Sequence, residues 1–163
     1  MFSQEPRQAK SSSGVSMLAA ADPPAMATMA AQLISAQLSA KPDSILVFPT
    51  GKTPQLLYAA LRQMTESGLL DWRQSRLFHL DEYVNPHPAQ PTAYRTFADE
   101  HDSQLWAAIP TAHKYYFKDF ESPEAYEKAL VDLGGADLML LGIGANGHIA
   151  FNEPGSEPNS PAR

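Results

Sequence analysis

The chain has 163 residues, of which 44% are hydrophobic and 18% charged, so it is neither a disordered tail nor too short to bury a core. Twelve basic against eighteen acidic residues leave a net charge of −6, which argues against broad nucleic-acid or anionic-membrane binding. No cysteine is present, which removes disulfides, thiolate metal sites and thiol nucleophiles and is compatible with the cytoplasm.

Residues 1–14 are polar, with Ser11, Ser12, Ser13 and Gly14, and read as a flexible leader. Arg7 and Lys10 precede the apolar stretch Val15–Ala21, but it is short and holds Ser16, so a first strand over Val15–Ala19 is preferred to a secretory signal. Pro23 and Pro24 open an alanine-rich helix to about Ala40, with Met26, Met29, Leu33, Ile34 and Leu38 expected in the core. Ser44–Phe48 reads as a buried strand. Thr53 as N-cap and Pro54 in the first turn open a second helix that buries Leu57, Leu61 and Met64 and ends near Gly68. Arg76–Leu80 is a third strand, followed by a proline-rich loop from Asp81 to Pro91 and a helix from Thr92 to about Ile109 burying Phe97 and Trp106. A short strand over Tyr115–Phe117 and a helix opened by Ser122-Pro123-Glu124 and closed by Gly134-Gly135 come next. Asp137–Ile143 is the most hydrophobic strand of all. Strands alternating with helices predict an α/β fold, with a mainly parallel sheet and helices on both faces. Residues 15–163 then read as part of a single domain. No stretch is long enough to span a membrane.

Three polar segments follow strands directly, which is where α/β sheets bind ligands. Phe48-Pro49-Thr50-Gly51-Lys52-Thr53-Pro54 joins a strand, a glycine turn and a helix N-terminus, an arrangement suited to an anion such as phosphate. A nucleotide P-loop would need glycine where Leu46 stands, so that motif fails, and an ordinary capped helix is the simple alternative. Phe78-His79-Leu80-Asp81-Glu82-Tyr83 places two adjacent carboxylates at a strand end, which is costly unless they are solvated, paired or useful. His79 and Asp81 share a strand face, so a metal pair is conceivable there, with a plain cap the commoner answer. The third segment runs Gly142-Ile143-Gly144-Ala145-Asn146-Gly147-His148-Ile149-Ala150-Phe151-Asn152-Glu153-Pro154. Its G-x-G-x-x-G lacks the long helix of a dinucleotide site, because Pro154 and Gly155 interrupt. A histidine in a glycine turn with Glu153 five residues on is either structural or an oriented acid/base.

Taken together, Pro49-Thr50-Gly51-Lys52-Thr53-Pro54, Leu80-Asp81-Glu82-Tyr83 and Gly144–Gly155 resemble the glucosamine-6-phosphate deaminase (isomerase) family in order and spacing. Its relatives, the 6-phosphogluconolactonases, resemble the chain in fold and glycine–histidine turn but typically carry a Thr-Ala-Ser type segment where this chain has Ile149-Ala150-Phe151-Asn152-Glu153. The resemblance implies conversion of glucosamine 6-phosphate and water to fructose 6-phosphate and ammonia, with no metal and no organic cofactor. It implies Asp81 as base for the C1/C2 proton transfer, His148 as ring-opening acid/base and Glu153 as the partner holding the His148 tautomer. Asn146 would orient His148, and Thr50, Gly51, Lys52 and Thr53 would hold the phosphate.

The partner implied is a small amino-sugar phosphate. Relatives include hexamers with an allosteric site and monomers, so a homo-oligomer is one expectation. Family members run on past the position of Arg163. The sheet is therefore expected to be incomplete on its C-terminal side, and this chain alone to bind sugar phosphate weakly. Lactone hydrolysis and non-catalytic sugar-phosphate sensing are the alternatives.

Overall fold

The computed structural model describes residues 7–10, 15–83, 104–157 and 160. Strands β3 (Ile45–Phe48), β4 (Arg76–His79), β5 (Lys114–Tyr115) and β6 (Leu138–Met139) form one sheet in the order β5-β4-β3-β6. Every pairing in it is parallel, so all four carboxyl ends lie along one edge. The order grows from β3 through β4 to β5 and then crosses back to place β6 on the other side of β3. That reversal opens the sheet edge between β3 and β6, where α/β sheets form ligand crevices.

Alternation along β3 and β4 divides the core in two. Leu46, Phe48 and Leu77 face helices α1 (Pro23–Ala40) and α2 (Gln55–Glu66), packing with Ile34, Leu38, Leu57 and Leu61. Ile45, Val47 and Phe78 face the other way, onto Tyr126 of α3 (Pro123–Asp132). Burial on both faces is why β3 reads as a continuous apolar run, with all four of its residues buried. Asp22 caps α1 by accepting from Ala25 N at 2.8 Å, and Ser122 caps α3 by accepting from Ala125 N at 3.2 Å. At the opposite edge Asp137 ties the sheet together, accepting from Ile45 N at 2.8 Å and from Lys41 Nζ at 2.7 Å.

Several elements depart from the sequence reading. The strand expected over Val15–Ala19 is β2 (Ser16–Ala19), and it does not join the parallel sheet. It pairs antiparallel with β1 (Arg7–Lys10), which lies in the segment expected to be a flexible leader. Val15, Met17 and Leu18 are exposed. On α1 Met26 and Leu33 also face solvent, since Ala27, Ala31, Ile34 and Leu38 already form the buried stripe. Helix α2 starts at Gln55 with Pro54 as its cap, so Thr53 does not cap it. The apolar run 137–143 is strand only over Leu138–Met139, and Leu141 and Ile143 are exposed. The short strand near 115 covers Lys114–Tyr115, and Phe117–Asp119 is a 3₁₀ turn. Of the helix expected over 92–109, the described residues 104–107 are helical, with Trp106 buried; residues 92–103, including Phe97, and the loop 84–91 lie outside the described residues.

Candidate active site

Three loops leave the carboxyl edge from adjacent strands. The first leaves β3 at Pro49. Gly51 has φ +103°, a conformation that favours glycine, and this lets the chain turn sharply into α2. The buried Tyr58 hydroxyl of α2 donates to Pro49 O and holds the loop's first residue. Lys52 and Thr53 are exposed, and Thr50 and Gly51 are half-buried.

The second loop leaves β4. Leu80 N donates to Phe48 O at 3.0 Å, which carries the β3 pairing one residue past the strand. Asp81 then lies buried, at 8% exposure, whereas Glu82 is half-buried and Tyr83 exposed. A carboxyl group held away from water at a strand end is the position in which environment tunes a proton acceptor. His79, the other half of the conceivable metal pair, is buried against aromatic rings. Its imidazole stacks on Tyr116 at a centroid distance of 4.8 Å and lies 5.8 Å from Trp106.

The third loop follows β6 and folds back on itself. Gly147 N donates to Gly144 O at 2.9 Å, and Gly144 N donates to His148 O at 2.9 Å. The His148 ring lies directly over Gly144, where any Cβ would overlap it; the glycine is therefore required by close approach. Asn146 Nδ2 donates to Glu153 Oε2 at 2.5 Å, and Asn146 Oδ1 lies 2.7 Å from His148 Nδ1 and accepts from His148 N at 3.2 Å. Glu153 Oε1 is 3.4 Å from His148 Nδ1. A carboxylate only accepts, so the amide nitrogen faces Glu153 and the amide oxygen faces the ring. That oxygen also only accepts, so the neutral imidazole carries its proton on Nδ1 and keeps a lone pair on Nε2.

Ile149 and Asn152 exchange hydrogen bonds of 3.3 and 3.0 Å around a tight turn in which Ala150 has φ +52°. The turn projects Phe151 onto Tyr83, with ring centroids 4.8 Å apart, and so joins the Asp81 loop to the His148 loop. Beneath them a cavity of about 290 Å³ runs between β4, α3 and the Ile149–Asn152 turn. The structure thus brings Asn146, His148 and Glu153 into one hydrogen-bonded group and puts the Asp81 and Thr50–Thr53 segments on the same sheet edge. Asp81, His148 and Gly51 do not line that cavity.

A family model described as glucosamine-6-phosphate isomerases/6-phosphogluconolactonase matches residues 19–157. The chain belongs to this family. Glucosamine-6-phosphate deaminase from Mycolicibacterium smegmatis is 38% identical over 153 residues, covering 87% of this chain and 56% of its own length. The Shewanella loihica enzyme of the same name is 43% identical over 138 residues, covering 80% of this chain and 50% of its own. The chain therefore spans about half the length of the curated relatives it matches. Among solved structures, a monomeric glucosamine-6-phosphate deaminase superposes with a TM-score of 0.75 at 29% identity, over 85% of this chain and 59% of that one. A 6-phosphogluconolactonase from Trypanosoma brucei superposes with a TM-score of 0.67 at 23% identity, over 84% and 62%, which shows a shared fold. The family's parallel sheet with helices on both faces is the one found here.

Two features of the site had no signal in the sequence: the Tyr83–Phe151 contact and the hydroxyl of Tyr126, which bonds to the end of β4. Both join residues far apart in the chain; Tyr83 and Phe151 lie in quoted motifs, but nothing in the sequence pairs them. The Gly144–His148 overlap lay within a motif that was legible, but its cause needed coordinates.

Proposed function

We propose that this chain carries the acid–base groups and the phosphate loop of a glucosamine-6-phosphate deaminase, acting on a small amino-sugar phosphate in the cytoplasm. The observation that carries the reading is the Glu153–Asn146–His148 chain, which leaves an imidazole lone pair on the sheet edge that Asp81 and the Gly51 turn also occupy. His148 Nε2 takes the proton of the anomeric hydroxyl and passes it to the ring oxygen as the C1–O5 bond breaks, which opens the sugar to the C1 aldehyde. Asp81 then removes the proton from C2 while O1 takes up a proton from solvent, giving an enolamine, and returns its proton to C1, which leaves a C2=N iminium. Water adds at C2 and the protonated amine leaves as ammonia, giving fructose 6-phosphate. Thr50, Gly51, Lys52 and Thr53 hold the phosphate at the open start of α2, where Pro54 offers no side-chain acceptor to the first backbone N–H groups.

Ammonia and fructose 6-phosphate release from glucosamine 6-phosphate tests the reading. It is measured on this chain and on a polypeptide of its relatives' length. Asp81→Asn should lower turnover by about 10²–10⁴-fold, the usual worth of a placed general base. Release of neither product by either polypeptide sinks the proposal. Hydrolysis of 6-phosphogluconolactone without ammonia would move the chain to the family's other branch.

A further inference from the structure

The carboxyl end of β4 is held by a side chain from α3. The ladder between β4 and β5 has only two rungs, Leu77 with Lys114 and Phe78 with Tyr115, and stops there. On the β3 side the next contact is Leu80 N to Phe48 O, so the His79 backbone faces β5. The Tyr126 hydroxyl occupies that place. It accepts from His79 N at 2.8 Å and lies 2.8 Å from His79 O and 3.3 Å from Tyr115 O, both of which can take its proton. A single buried hydroxyl thus stands in for the missing rung, two residues before Asp81. Burial, first of all, raises the Tyr126 hydroxyl well above the ordinary tyrosine range, and the nearby Asp81 and Glu82 carboxylates push the same way. The hydroxyl therefore keeps its proton and serves as donor and acceptor together. Stacking fixes the ring: Phe117 lies 3.8 Å away and Phe78 meets it edge-on at 5.3 Å. Phe78, His79, Leu80 and Tyr126 all line the 290 Å³ cavity, so the hydroxyl bonds at its wall, where His79 also packs on Tyr116.

We infer that Tyr126 is a positioning residue, whose hydroxyl clamps the end of β4 and thereby sets where the Asp81 carboxylate stands. The inference rests on the reading of Asp81 as the proton acceptor. Tyr126→Phe keeps the ring stack and removes only the clamp.

The expected result is a folded variant in which the His79 amide exchanges at least about tenfold faster and the carbon resonance of the Asp81 carboxyl moves, while the His148 ring nitrogens keep their wild-type shifts. Turnover of glucosamine 6-phosphate falls by about 10²-fold while KM stays within about threefold, because a misplaced base costs rate rather than binding. A folded Tyr126→Phe with an unchanged Asp81 resonance and unchanged turnover overturns the inference. So does a turnover loss that merely tracks loss of folded protein. Should the variant not fold, the wild-type His79 amide decides: it must be as protected as the β3 amides, and loop-like exchange overturns the clamp. If the wild-type protein releases no ammonia but Asp81 still responds to Tyr126→Phe, the clamp stands and the deaminase reading falls.

Discussion

Replacing Gly144 by alanine adds one carbon at the point where the His148 ring rests on the backbone. The new Cβ would lie 2.5 Å from ring Nδ1, whereas ordinary contacts begin at 3.4 Å, so the ring must retreat by about 1 Å. The hydrogen bond between Nδ1 and Asn146 Oδ1 is 2.7 Å long and would open past the ~3.2 Å limit of a useful bond. Gly144 is not among the glycines of positive φ, so alanine fits the backbone itself. The fold should therefore stay within about 1 kcal/mol of the wild type, with a small gain from lost unfolded-state freedom. The site should not survive as well, since a 1 Å displacement of an acid/base group is worth about 10²-fold in rate. Nitrogen-detected NMR of the imidazole reads the tautomer directly, and ammonia release reads the rate. An alanine variant that keeps the Nδ1–H signature and full turnover would show that the ring does not sit over Gly144, and the argument for its orientation would fail.

Asp137 has a carboxyl held below the ordinary range by the Lys41 ammonium first and by the Ile45 amide second. A lowered carboxyl stabilises the fold above its unfolded value and loses that contribution as pH falls through the folded one. Asp137→Ala should thus cost about 1–3 kcal/mol near pH 7, from the unpaired Ile45 N–H, and the gap to wild type should narrow below about pH 4 in urea titrations. Equal stability of the two proteins at neutral pH would refute it. Ala150 adopts φ +52° without being glycine, so Ala150→Gly should raise the melting temperature by about 1–3 °C, and a fall of several degrees would count against the strain.

Much of this was legible in the residues. The apolar run at Ile45–Phe48, the strand at Arg76–His79, and the helix starts at Pro23 and at Ser122-Pro123 are local signals, because propensity and capping act over a few positions. The His148 turn was visible too, since glycines and a histidine at close spacing carry their own geometry. Local signals misled where burial depends on distant partners. Val15–Ala19 is strand-like in composition, yet what it pairs with is β1. The stretch after Met139 is apolar, yet Leu141 and Ile143 stand in solvent.

Residue order alone placed an acidic pair, a glycine–histidine turn and a glycine turn before a helix each directly after a strand, because such signals act over a few residues. Only the strand order β5-β4-β3-β6, all parallel, decided that the three share one edge. Tertiary packing likewise decided that an α3 tyrosine holds the β4 end, since a hydrogen bond spanning 47 residues leaves no periodic trace in the chain.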